Sequence, residues 1–352
     1  MKLGFGFYRH MLNEQTYRFA AQCGCTHAVV HLCDYGLVGK TSDDQPVGEE
    51  HGWGLATHPG LWELDEILAI KDALAEHSLT LYAIENFDPA QWHDVLLDGP
   101  LKQRQMELLK EQIRIVGRAG VPVFGYNFSI AGVAGRERVR ARGGALGVGL
   151  SSGNELVEKP IPKGMVWNMT YDANADEGML DPISHEELWN RLAWFLRQII
   201  PVAEQAGVVM AAHPDDPPLE TVRGQPRLVH RHHLYQKLLD IVPSPSNRLE
   251  FCVGSLAEMP GDDLYGAIAH YAAQQAPAYV HLRNVRGRVP DYAETFIDEG
   301  DIDIGRVLRI LREHDFQGVI IPDHAPRMEC PAPWHASMAY ALGYLRAKME
   351  EP

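Results

Sequence analysis

Positive charge is in short supply in this sequence. Across 352 residues, 32 lysines and arginines stand against 47 aspartates and glutamates, a net charge of −15. That balance argues against a broad nucleic-acid or anionic-membrane surface, since both need clustered positive charge. A small anionic substrate is still admitted, because one or two arginines in a pocket settle that locally. Cysteine is also sparse, and five of them do not make a disulfide framework. Cys23 and Cys25 are spaced C-x-C with Cys33 nearby. No second matching pair follows, so buried small apolar residues are expected there in preference to a zinc knuckle. No apolar run is long enough to span a bilayer, and MKLGFGFYRH carries no basic segment leading into a long apolar one. The expectation is a soluble cytoplasmic protein with neither membrane nor nucleic acid as partner. A glycine-rich phosphate loop after the first strand is missing as well. Gly4-Phe5-Gly6 lies inside that strand, which counts against a doubly wound dinucleotide-binding sheet.

What is present is a hydrophobic fraction of 45%, enough for a sizeable core, and a steady alternation of short apolar runs with helical patterns. Strand-like runs fall at residues 3–7, 27–32, 79–84, 121–126, 208–212, 248–252, 278–282 and 318–321. Helical periods lie between them, with Asn13 placed to cap the first and Ser184–Glu187 spaced as a capping box. Pro201 is expected to interrupt or kink the helix that Ser184 opens. Residues 33–60 and the stretch from 285 to 303 read as long polar loops. Residues 129–181 show no steady period and carry Arg136, Arg138, Arg140 and Arg142, an arginine run expected as a solvated or subunit-contacting face or as a ligand clamp. Eight strand–helix units without a composition break predict one α/β domain over 1–352, a (β/α)8 TIM barrel with 129–181 inserted as a loop or arm after strand 4.

In such a barrel the C-terminal strand ends form one ring at one face, where the active site is built. The run ending at Ala212 gives way to His213, the next ends in Cys252, the next reaches His281, and the last gives way to Pro322-Asp323-His324. Two imidazoles, a thiolate and a carboxylate from adjacent strands suffice for a divalent transition metal. Their softness suggests zinc or ferrous iron, and a lone thiolate does not exclude manganese. His324, beside Asp323, suits a general acid or base. Arg283 and Asn284 follow His281 and are expected to bind substrate, the arginine by holding a carboxylate in a bidentate pair. Glu85, Asn127, His31 and Asp34 end or follow earlier strands and read equally as substrate contacts or as structural hydrogen-bonding groups.

The stretches Ala212-His213-Pro214-Asp215-Asp216-Pro217-Pro218, Cys252-Val253-Gly254-Ser255-Leu256, Val280-His281-Leu282-Arg283-Asn284-Val285 and Pro322-Asp323-His324, in that order, resemble the mannonate dehydratases of hexuronate breakdown. Gly125-Tyr126-Asn127-Phe128 and Asp298-Glu299-Gly300-Asp301-Ile302-Asp303 resemble them too. The resemblance implies a barrel of the xylose-isomerase-like group that dehydrates D-mannonate to 2-keto-3-deoxy-D-gluconate. It implies Mn2+ or Fe2+ on His213, Cys252, His281 and Asp323, and His324 as an acid/base. The family also uses a tyrosine in the segment after that histidine, about where His335 stands here, so His335 is expected as the second proton-transfer group. A related aldonate, a sugar isomerase or epimerase on the same barrel, and a non-catalytic sugar-acid-binding barrel are the competing expectations. A homo-oligomer is expected.

Overall fold

The computed structural model describes residues 1–35, 52–261 and 263–351, so most of the polar loop expected over 33–60 lies outside the described residues. Eight parallel strands close into a barrel: β1 Lys2–Phe7, β2 His27–Val30, β3 Thr80–Glu85, β4 Val123–Tyr126, β5 Val209–Ala212, β6 Asn247–Cys252, β7 Pro277–His281 and β8 Val319–Ile321. Each pairs with its neighbours in sequence, and β8 closes on β1. The expected TIM barrel is therefore what the chain builds.

The strands alternate between two environments, as a pleat requires. Val29, Ala83, Val123, Ala211, Ala278, Tyr279, Val319 and Ile321 pack together in the barrel interior. Alternate residues such as Phe5, Phe124, Phe251 and Ile320 join the larger layer between the barrel and its helices. Each fully buried aliphatic or aromatic side chain there contributes roughly 1.5–3 kcal/mol. Asn13 caps the helix Glu14–Gln22 by accepting from the Thr16 amide, and Ser184 caps His185–Ala206 by accepting from the Glu187 amide. That helix runs through Pro201 as a single element, with the proline on the solvent side. Leu192, Phe195, Leu196 and Ile199 before it, and Val202 and Ala203 after it, are all buried, which holds the two halves in one course.

Two expected loops prove to be sheet. Glu137–Arg140 and Leu146–Leu150, within the 129–181 segment, pair antiparallel, and the second of them pairs with the hairpin Asn284–Arg288/Asp291–Thr295 that follows β7. This four-stranded sheet reaches the C-terminal mouth of the barrel. Its signal was hidden by glycine in Leu146-Gly-Val-Gly-Leu, yet glycine is what the pairing needs: a Cβ on Gly149 would come within 2.4 Å of the Tyr292 carbonyl oxygen. The arginines of this segment divide. Arg136 is buried against Asp216, whereas Arg142 pairs at the surface with Asp298.

A helix absent from the sequence reading, Pro89–Leu97, follows β3 and carries a pH-dependent feature. Asp88 caps it, accepting from the Ala90 amide at 2.9 Å while its own amide donates to Gln91. The carboxyl is fully buried, and burial pushes it from 3.8 up to about 6. The folded state thus holds this proton more tightly than the unfolded chain. Its contribution is most favourable below the unfolded value and is lost as pH rises from about 4 to about 6. Asp88→Asn keeps an acceptor for the cap and removes the charge. The variant should gain about 3 kcal/mol at pH 7 and lose the decline across that window. Urea midpoints between pH 4 and 7.5 check this, and parallel curves for parent and variant would refute it.

Candidate active site

The register of the barrel assembles the site. Cys252 lies opposite His281 on β6 and β7, and His281 lies opposite Ile321 on β8, two residues before Asp323. Tyr126 lies opposite Ala212, and the His213 amide donates to the Tyr126 carbonyl at 2.8 Å, extending β5 by one residue. Donor atoms of His213, Cys252 and His281 all fall within 4.8 Å of one another. His281 Nδ1 is 3.6 Å from Asp323 Oδ1. Asp323 takes a left-handed backbone conformation, φ 60°, which aspartate tolerates better than most residues. The four strand-end groups expected as ligands are thus brought together. Cys25 and Cys33 are buried, and none of Cys23, Cys25 and Cys33 belongs to a donor cluster among the described residues.

Charge explains why this cluster suits a cation. Burial pushes the Cys252 thiol up, but the Arg283 guanidinium and the neighbouring His213 and His281 imidazoles outweigh it and hold the group well below the ordinary thiol range. Burial likewise opposes the charge on Asp323, yet His324, His281 and Arg283 hold it well below the carboxylate range. Both imidazoles move the other way. Against burial, Glu250 and Cys252 raise His213 to about 9, and Asp323, Glu85 and Glu250 raise His281 well above its ordinary value. Two imidazolium charges therefore balance thiolate and carboxylate, and a divalent cation brings the same two charges while displacing the protons. Both His281 ring nitrogens are buried without a hydrogen-bond partner. The residues present fit a bound divalent transition metal.

Beneath the ring lies a layer of carboxylates. His281 Nε2 sits 3.3 Å from Glu85 Oε2 and 3.4 Å from Glu250 Oε1. Burial raises Glu85, but His31 and His281 pull it down to about 2, while burial and the neighbouring Glu85 push Glu250 well up. Carboxylates behind a ligating histidine orient its ring. Glu250 was missed in the sequence although a signal existed: two residues before Cys252 on one strand, it had to face the same side.

Several expected substrate contacts have other duties here. Arg283 is 1% exposed and both its terminal nitrogens are committed. Nη1 donates to Cys252 Sγ at 3.0 Å and Asp323 Oδ2 at 2.8 Å. Nη2 donates to Asp216 Oδ2 at 2.8 Å and Glu258 Oε1 at 2.9 Å, with Ser255 Oγ at 3.3 Å. It cannot also clamp a carboxylate in a bidentate pair. Gly254 of the Cys-x-Gly-Ser turn makes room for it, since a Cβ there would lie 2.5 Å from the Arg283 side chain. Asn284 pins the following loop, donating to the Ile297 and Ile302 carbonyls and accepting from the Val285 and Ile302 amides. Asn127 ties the loop after β5 by donating to the Pro214 carbonyl and accepting from Trp167. Glu85 faces His281. For Asn127 that tie is the structural role already open to it, whereas Glu85, with Glu250 and His281, makes up a second group of closely spaced possible metal donors. His31, packed on Tyr8 and hydrogen-bonded to Tyr35 at 3.3 Å, does reach the cavity.

The cavity opens beside this ring. Its polar lining is Tyr8, His31, Arg138, Glu294, Asp323 and His324, closed on one side by Trp334 and Met338. His324 is fixed at Nδ1, 3.2 Å from Glu294, and its Nε2 faces Asp323 Oδ1 at 3.1 Å. His335 is not here. It stacks edge-on against Phe19 at 4.9 Å and borders a groove with Glu14, Arg18 and Gln22, outside the barrel. The expectation of His335 as a proton-transfer group is overturned, because Trp334 and Met338 are the helix positions that face the mouth.

Residues 36–343 match the family model for D-mannonate dehydratase (UxuA). The chain belongs to the D-mannonate dehydratase family. A mannonate dehydratase of Geobacillus thermodenitrificans is 32% identical over 286 residues, covering 75% of this chain and 76% of the relative. One of Streptococcus pneumoniae is 31% identical over 278 residues, 76% and 75% of the two chains. The solved mannonate dehydratase of Streptococcus suis serotype 2 superposes with a TM-score of 0.77 at 27% identity, covering 99% of this chain and 93% of that one. A D-psicose 3-epimerase of Clostridium cellulolyticum, at TM-score 0.59 and 12% identity over the full length of both chains, shares the fold. Membership in this family places the chain among the hydro-lyases. No helix among the described residues is long and apolar enough to cross a membrane.

Proposed function

We propose that the protein removes water from D-mannonate to give 2-keto-3-deoxy-D-gluconate, with Mn2+ or Fe2+ held by His213, Cys252, His281 and Asp323. The observation that carries this reading is the convergence of those four donors with His324 beside one cavity, in a chain of this family. When bound, the metal supplies Lewis acidity toward substrate oxygens, stabilising the charge that builds up as the C2 proton leaves. The chain's own groups do the rest. His324 takes the C2 proton, with Glu294 fixing its ring through Nδ1. Arg138, which lines the cavity from the overlying sheet, meets the substrate carboxylate in the place expected of Arg283. Arg283 holds Cys252 and Asp323 in their charged, ligating forms. The same reading includes a cytoplasmic enzyme that assembles from identical chains.

Incubating the Mn2+-loaded protein with D-mannonate and a panel of other aldonates should yield a 2-keto-3-deoxy acid from D-mannonate. Product from a different aldonate alone would move the substrate while leaving the chemistry. An isomer of unchanged mass would indicate the isomerase or epimerase reading, and metal binding without turnover of any aldonate a purely binding barrel.

A further inference from the structure

With His335 outside the barrel, the dehydration lacks a group to protonate the departing C3 hydroxyl. Hydroxide is a poor leaving group, and a positioned acid is worth about 10²–10⁴-fold. The cavity lining narrows the choice. Asp323 accepts from Arg283 at 2.8 Å and Glu294 faces His324 at 3.2 Å, so both carboxylates are taken up by neighbours, Arg138 is a guanidinium that does not give up its proton, and His324 is used at C2. His31 has its Nδ1 on Tyr35 and its Nε2 turned toward Glu85, 3.8 Å away. Tyr8 is left. It follows directly on β1, where the strand opens into the cavity, and its ring is fixed against His31 with centroids 5.0 Å apart. No hydrogen bond engages its hydroxyl among the described residues, and it lines the same cavity as Glu294, Asp323 and His324.

Resting on the D-mannonate reading, we infer that Tyr8 is the acid that protonates the leaving hydroxyl at C3, working across the cavity from His324. His324 accepts the C2 proton, and the C2–H electron pair becomes the C2=C3 bond. The C3–O bond breaks with its pair on oxygen, the Tyr8 Oη proton joins it, and water departs. The tyrosinate recovers a proton from the imidazolium of His324 through solvent in the cavity. The enol left behind ketonises, C3 taking a solvent proton while the C2 hydroxyl gives its own proton to solvent, so substrate minus water equals product. A phenol carries its proton at neutral pH and can donate it.

The test compares two leaving groups. Tyr8→Phe keeps the ring and removes the proton. On D-mannonate, kcat should fall about 100-fold or more, with KM within a few-fold of the parent and Mn2+ content unchanged. On 3-deoxy-3-fluoro-D-mannonate, whose fluoride leaves without needing an acid, Tyr8→Phe should release fluoride at close to the parent rate. His324→Asn should lose both reactions. Fluoride release reports an intact site in the same variant. If Tyr8→Phe slows both substrates alike, or neither, Tyr8 is not the acid. A parent that makes no product from D-mannonate defeats the substrate reading and this inference together, whereas an active parent matched by Tyr8→Phe defeats the inference alone.

Discussion

Arg283→Met should unfold the metal-free protein under conditions where the parent is stable. The guanidinium is buried and bonds Cys252, Asp323, Asp216 and Glu258, with Glu294 Oε1 3.4 Å from its Nε. Arg136 also reaches this group, through Asp216 and, at 3.9 Å, Glu294. Removing one partner of a buried charge pair costs about 3–5 kcal/mol, because the other charge stays behind without compensation. Here several acidic groups lose the same partner, so the upper end of that range is expected. Arg283→Lys should recover only a small part, since one ammonium cannot bridge Cys252 and Asp323 on one side and Asp216 and Glu258 on the other. Denaturant midpoints in the presence of chelator measure this directly. Added Mn2+ should narrow the deficit by bringing positive charge to Cys252 and Asp323. A Met variant within about 1 kcal/mol of the parent would mean that Glu258 and its neighbours are neutral without the arginine.

That arginine also marks the limit of what the sequence makes legible. His213, Cys252, His281 and Asp323 could be found because each closes an apolar run, and a barrel brings consecutive strand ends to one ring. The partners of Arg283 carry no such mark. Asp216 sits in a loop, Glu258 at the end of the short helix Val253–Glu258, and Glu294 on a hairpin strand, so no local spacing ties them to residue 283. An arginine beside a ligand histidine reads as a substrate clamp until its burial is known. His335 differs, because helical geometry held the correction in advance. Trp334 and Met338 are four apart and line the cavity, and each residue turns the helix by about 100°. With those two facing the mouth, the residue after Trp334 faces elsewhere. The sheet over the mouth stayed hidden for another reason. Its strands are short, glycine-rich or charged, and its partners lie far apart in the chain, so only tertiary pairing defines it.

His324→Asn separates proton transfer from metal binding, two functions that adjacent residues divide at the end of β8. Asp323 belongs to the donor ring through its approach to His281 and its bond from Arg283. The His324 ring lies beside that carboxylate but contributes no atom to the cluster of His213, Cys252 and His281. An asparagine at 324 can still donate to Glu294, leaves Asp323 in place, and has no group that accepts a proton near neutrality. Turnover of D-mannonate should fall about 10²–10⁴-fold, with Mn2+ content and thermal midpoint close to the parent. Asp323→Asn should behave differently. It replaces an anionic ligand with a neutral amide, so metal affinity and turnover should fall together. Full turnover by a Mn2+-loaded His324→Asn protein would leave the C2 proton without its acceptor and move the base to another group lining the cavity. Loss of metal from that variant would instead draw His324 into the ligand set. The pair of variants therefore tests the division of labour at Asp323 and His324 independently of which aldonate the enzyme prefers.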